Sequence, residues 1–274
     1  MEAVILILRW LIFLFYLVTF VFYYSYFRTK QDHTARQIRI WLTAAIAGHT
    51  VYLIALGFLL GHLPVGEVFQ ALTTSAWLFI LVYWVLEIRL QERTMGVFFL
   101  PIILVLQAIS NLFIDLNKPL AAVLGDLIFE VHVVIIISAY AAFAISFIAS
   151  VMYILLSREM QSKHLGIFFQ RLPSLEFFDR LSNHAVNIGL MLVSVGICIG
   201  FYMGTSVWKG RWQLDPKLLA VLVSWGIYFV HFVGRKSIGW QGRRAAIVSV
   251  IGFNWLLFSF IIVTLFFSKL HNFQ

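Results

Sequence analysis

Charge is what this chain has least of. Of its 274 residues, 12% are Asp, Glu, Lys or Arg, while 62% are hydrophobic. A soluble globular domain of this size is excluded, because it needs more polar surface to meet water. Cysteine is nearly absent as well: Cys198 stands alone inside an apolar run. A disulfide framework, a cysteine zinc site and a CxxC redox centre within the chain are excluded. Cys198 itself reads as a small residue in a packed helix. The 12 Asp and Glu are outnumbered by 20 Lys and Arg. Asp115, Asp126 and Glu130 gather at the ends of apolar runs, and no run has an obvious central carboxylate. That weighs against a transporter built around an acid at the membrane midplane.

What is there is hydrocarbon in long stretches. Eight runs suit membrane spans: 3–27, 39–61, 69–88, 96–114, 128–156, 184–206, 217–234 and 245–268. A helical span needs about 20 residues. The first run is read as a span and not as a cleaved signal peptide, since Tyr23, Tyr24, Tyr26 and Phe27 crowd the place of a small-residue cleavage site. Continuous apolarity, without alternation, excludes a β-barrel. In lipid each run must satisfy its own backbone, so the fold class is all-α. The expectation is a polytopic membrane helix bundle forming one integral membrane domain over 1–274.

The cations set the orientation. Loops on one side carry Arg28, Lys30, Arg36, Arg39, Arg89, Arg93, Arg158, Lys163, Arg171, Arg180, Arg235, Lys236, Arg243 and Arg244. The other side has Arg9, Lys118, Lys209, Arg211, Lys217 and Lys269. Cations favour the cytoplasmic side, so both termini are expected outside. The net charge of +8 is thus a topology signal and not a nucleic-acid signal. Within the long cytoplasmic connection 157–183, apolar residues from Leu165 to Leu181 alternate with charges. Part of it is expected to lie in the interface as an amphipathic helix or to form a cuff joining two halves of the bundle.

One segment is neither span nor ordinary loop: Trp208-Lys-Gly-Arg-Trp-Gln-Leu-Asp-Pro-Lys217, on the expected outer face. Asp215 and Pro216 read as a helix start, an N-cap followed by the residue best suited to the first turn. Trp208 and Trp212 have two readings. They are interfacial anchors, or, four residues apart on one helical face, a platform for a flat conjugated ring. Lys209, Arg211 and Lys217 would then meet carboxylates on that ring.

The segment resembles the tryptophan-rich "WWD" signature of the cytochrome c assembly family, the haem-handling membrane proteins of the CcmC, CcsA and HemX kind. Four other stretches are similar to that family: Leu172-Pro-Ser-Leu-Glu-Phe-Phe-Asp-Arg-Leu181, the glycines from Gly196 to Gly204, Ser224-Trp-Gly-Ile-Tyr-Phe-Val-His231 and Gly239-Trp-Gln-Gly-Arg-Arg-Ala-Ala246. The resemblance covers about 128–273. It departs at Leu214, where the family usually has a further Trp before the Asp.

Eight histidines divide by position. His33, His62, His164 and His184 read as loop or helix-end residues. His132 and His271 lie at expected outer ends of spans and resemble the family's external haem-ligating histidines, so the resemblance makes them axial ligands to haem iron. His49 and His231 lie at membrane depth. His231 matches the family's transmembrane histidine, while the link for His49 is vaguer. Both are candidate haem contacts, set against a neutral histidine bonded across helices.

The resemblance implies a function in cytochrome c maturation. Haem b would be bound as cargo and presented or moved at the outer face of a bacterial-type cytoplasmic membrane. Trp208, Trp212, Asp215, Pro216, His49 and His231 would contact it, and His132 and His271 would ligate its iron. The chain reads as a delivery or ligation component more than a stand-alone enzyme. A ResB/CcsB-like membrane partner, an apocytochrome c with a CxxCH motif and the lipid bilayer are the implied partners. The alternative is a HemX-like accessory protein controlling glutamyl-tRNA reductase in haem synthesis.

Overall fold

The computed structural model describes residues 2–116, 126–162, 166–207 and 216–262. These residues are mostly helical, with no strand among them. The helices are α1 (Glu2–Thr29), α2 (Asp32–Leu60), α3 (Val68–Leu90), α4 (Gly96–Phe113), α5 (Leu127–Gln161), α6 (Ile167–Arg171), α7 (Leu175–Val207), α8 (Pro216–Ser237) and α9 (Arg243–Ile262). Seven of them, α1–α5, α7 and α8, are long and apolar enough to cross a membrane. Large apolar side chains such as Phe58 and Ile7 are 79% and 68% exposed, as lipid-facing residues are. The chain is a polytopic all-helical membrane protein. The expected eighth span falls on α9 as far as Ile262, and its remainder lies outside the described residues.

Two helices begin well before the apolar runs that announce them. α2 starts at Asp32, not near 39, after a turn of two residues in which Lys30 takes φ +53°. Its polar first turns extend the helix beyond the apolar stretch, and Asp32 favours the positive helix end. α7 starts at Leu175, not near 184. Ser174 caps it: its hydroxyl accepts the Phe177 N–H at 3.2 Å, and Pro173 stands just before. The connection 157–183 is therefore mostly the end of α5, the five-residue α6 and the first two turns of α7. Leu172, Phe177, Phe178 and Leu181 are buried in protein and do not lie in an interfacial helix.

Contacts gather the chain into two compact units, residues 1–130 with 170–173 and residues 131–169 with 174–274. In the first, α1 packs on α2, α2 on α3, α3 on α4 and α4 back on α1. The buried stripes have coiled-coil spacing: Ile12, Tyr16, Thr19 and Tyr23 on α1, and Ile38, Leu42, Ala45, His49, Tyr52 and Leu56 on α2. Steps alternating between three and four keep one face inward.

In the second unit the core is Ala139, Phe143, Val186, Leu190, Val193, Tyr228 and Leu256. Phe143 and Tyr228 stack face to face, 3.7 Å between centroids and 2° from parallel. α5 and α7 run antiparallel, and glycines on α7 make room for side chains on α5. Phe143 lies over Gly189, Ile136 over Gly196 and His132 over Gly200. Seven residues forward on α7 meet seven back on α5, then four meet four, which is one strict register.

Candidate haem site

His132 stands on the second turn of α5, half buried. Its Nδ1 is 3.0 Å from the carbonyl oxygen of Gly196. A carbonyl only accepts, so Nδ1 carries the proton and donates it. The lone pair of the neutral ring is then on Nε2, the nitrogen left to bind a metal. The register of α5 against α7 sets this end of α5 beside the end of α7 at Val207. Pro216 opens α8, as the Asp-Pro reading expects. Trp208, Trp212, Asp215 and the altered position Leu214 lie outside the described residues, as does His271.

His231 is fully buried on α8, and both of its ring nitrogens lack a partner among the described residues. A buried unsatisfied polar group is costly and calls for an explanation such as a ligand. One helical turn on, Arg235 binds Asp179 of α7 through two bonds of 2.7 Å. Asp179 Oδ1 also accepts the Gly242 N–H at 2.8 Å. This clamp fixes the end of α8 that carries His231.

The same clamp explains the Gly-Trp-x-Gly-x-x-Ala stretch. Gly239 and Gly242 have φ of +75° and +61°, values that side-chain-bearing residues rarely adopt. The Trp240 indole lies on Gly234, where any Cβ would overlap it. Ala245 and Ala246 are buried where α9 begins.

His49 has a different setting. Tyr16 donates its hydroxyl proton to Nδ1 at 2.8 Å, and Nε2–H donates to Thr73 Oγ1 at 3.0 Å. The direction follows from Thr73, whose one proton goes to Gln107 Oε1 at 2.8 Å. Gln107 donates to Asn111 Oδ1 at 2.8 Å, and Asn111 donates to the Arg9 carbonyl at 3.0 Å. The chain of bonds visits α1, α2, α3, α4 and α1 again, closing a ring through the first unit. Both nitrogens of His49 are used, so in this arrangement it offers nothing to a ligand. The structure thus sorts the candidates: His132 and His231 belong to the second unit, His49 to the polar ring of the first.

Sequence reasoning missed Asp179, Arg235, Thr73, Gln107 and Asn111. Uncharged polar residues inside apolar runs are the usual sign of bonds between helices, and that sign was present at Thr73, Gln107 and Asn111.

Comparison with known proteins bears on what the site handles. The family described as cytochrome C assembly protein matches residues 65–271. The match begins some sixty residues earlier than the resemblance in the sequence, and takes in α3 and α4. The chain is 28% identical over 236 residues to the cytochrome c biogenesis protein CcsA of Mesostigma viride, with 77% of each chain covered. It is 24% identical over 274 residues to the protein of the same name from Synechococcus sp. (strain CC9902), covering 91% of this chain and 90% of that one. Neither relative carries the HemX name, and the haem-synthesis alternative gains no support from them. This chain belongs to the cytochrome c assembly family.

Proposed function

We propose that this protein acts in cytochrome c biogenesis by holding haem as cargo at the outer face of a bacterial-type cytoplasmic membrane. The observation that carries the reading is His132: one ring nitrogen is bound to Gly196, and the other keeps its lone pair for iron. Metal-ligating histidines usually donate their second N–H to such an acceptor. His271 is the proposed second axial ligand. Trp208 and Trp212 are the proposed platform for the ring, and Asp215 and Pro216 are proposed contacts beside it. His231, buried with both nitrogens unpaired among the described residues, is the proposed contact within the membrane.

Haem b would bring an iron centre for axial ligation and vinyl groups that react with thiols. The single cysteine of this chain, Cys198, cannot supply the pair of thiols in a CxxCH motif. Those come from the apocytochrome, and a ResB/CcsB-like subunit is the proposed membrane partner. The residues of this chain would bind and orient: the imidazoles of His132 and His271 would hold the iron, and the indoles would cover the ring and exclude water from it.

Absorption of protein purified from haem-replete cells tests this. Wild type is expected to show a Soret band, weakened at least tenfold in His132→Ala and restored by added imidazole. Haem-free wild-type protein, or an unchanged band in His132→Ala, refutes the assignment.

A further inference from the structure

A helix carbonyl is normally covered by side chains of the following turn. The Gly196 carbonyl already takes the N–H four residues on, that of Gly200. Its second lone pair faces sideways and is reachable only if the next turn is bare. Gly200 leaves it bare. A Cβ at Gly200 would stand 3.2 Å from His132 Cε1, 3.8 Å from Nδ1 and 3.9 Å from Nε2. It would push on the carbon between the two nitrogens and so shift the ring that now reaches the carbonyl.

We infer that Gly200 is a positioning residue for His132: by keeping the Gly196 carbonyl open, it fixes the imidazole as its Nδ1–H tautomer with Nε2 turned to the ligand. The inference rests on the reading of His132 as a haem ligand, and it makes His132 and His231 unequal. His132 has an acceptor that raises its basicity. Both nitrogens of His231 lack any partner among the described residues. Loss of such an outer partner typically lowers metal affinity 10–100-fold.

The first test needs no haem. In haem-free, 15N-histidine-labelled protein, ring nitrogen shifts distinguish the tautomers, and His132→Ala assigns the signals. Wild type is expected to show His132 as the Nδ1–H form alone. Gly200→Ala, which asks the ring to move by a few tenths of an ångström, is expected to keep most of that form. Gly200→Val is expected to give mixed tautomers. Titration with haemin should then show affinity reduced about 10–100-fold in Gly200→Val. A wild-type Nε2–H tautomer overturns the inference even if no Gly200 variant folds. Gly200→Val binding haemin like wild type overturns it while the haem reading stands. His132→Ala binding like wild type removes the haem reading itself and the inference with it.

Discussion

Thr73→Val exchanges a hydroxyl for a methyl of nearly equal size at a fully buried site. No cavity results, so the change reports hydrogen bonding. Thr73 is the hinge of the polar ring, accepting from His49 and donating to Gln107. Without its hydroxyl, His49 Nε2–H has no acceptor and Gln107 Oε1 no donor. A tautomer switch gives no relief, because Tyr16 would then lose its acceptor at Nδ1. Bonds between helices in membranes average about 0.6 kcal/mol and reach about 1.7 kcal/mol. Two of them give an expected loss of about 1–3 kcal/mol. Reversible unfolding in mixed detergent micelles measures it, with Thr29→Val, whose exposed hydroxyl bonds only the Ser25 carbonyl, as the near-neutral control. A cycle with Gln107→Leu should show coupling of at least about 0.5 kcal/mol. The Soret band of Thr73→Val should match wild type, since none of the proposed ligands is a member of this ring. Stability within about 0.3 kcal/mol of wild type would refute the ring as a stabilising network. A lost Soret band would refute the expectation that the ring takes no part in haem binding.

Two further substitutions probe the second unit. Gly189→Ala puts a Cβ 2.5 Å from the Phe143 ring; overpacking of this kind costs about 1–3 kcal/mol, and Phe143→Leu in the same chain should recover part of it in a melting assay. Asp179→Ala strands the Arg235 guanidinium and the Gly242 N–H together. Since that pair is partly exposed, a loss of about 1–3 kcal/mol is expected, with early proteolysis at the α8–α9 turn, and Asp179→Asn should do better than Asp179→Ala because it keeps an acceptor for Gly242.

The apolar runs made the helices legible. Hydrocarbon length is a local property, and the seven helices long and apolar enough to cross a membrane lie where composition puts them. Helix starts were less legible, because a helix outlasts its apolar stretch: Asp32 and Ser174 begin helices in polar sequence, and only Ser174 carries an obvious cap. The Gly239–Ala246 motif was visible as a motif, yet its reason, a backbone N–H bound to Asp179 some sixty residues earlier, is a tertiary fact. The histidines show the same divide. Their depth in the membrane follows from counting residues. Their partners do not, and partners are what separate His49, with both nitrogens engaged, from His231, with neither engaged among the described residues. Gly200 was readable only as one glycine among several, since its use depends on which α5 residue stands opposite.

The register of α5 on α7 has a mechanical consequence. A helix seated at one point can pivot about it, and one seated at two can still roll. Here three seats lie over eleven residues, about 16 Å of helix. A pull on the His132 imidazole is thus carried along α5 to Phe143. Phe143 lies flat on Tyr228, and Tyr228 is one turn from His231 on the same rigid rod. The path of packed groups from the helix ends to the buried histidine therefore runs through helix and stacked rings, with no loop within it.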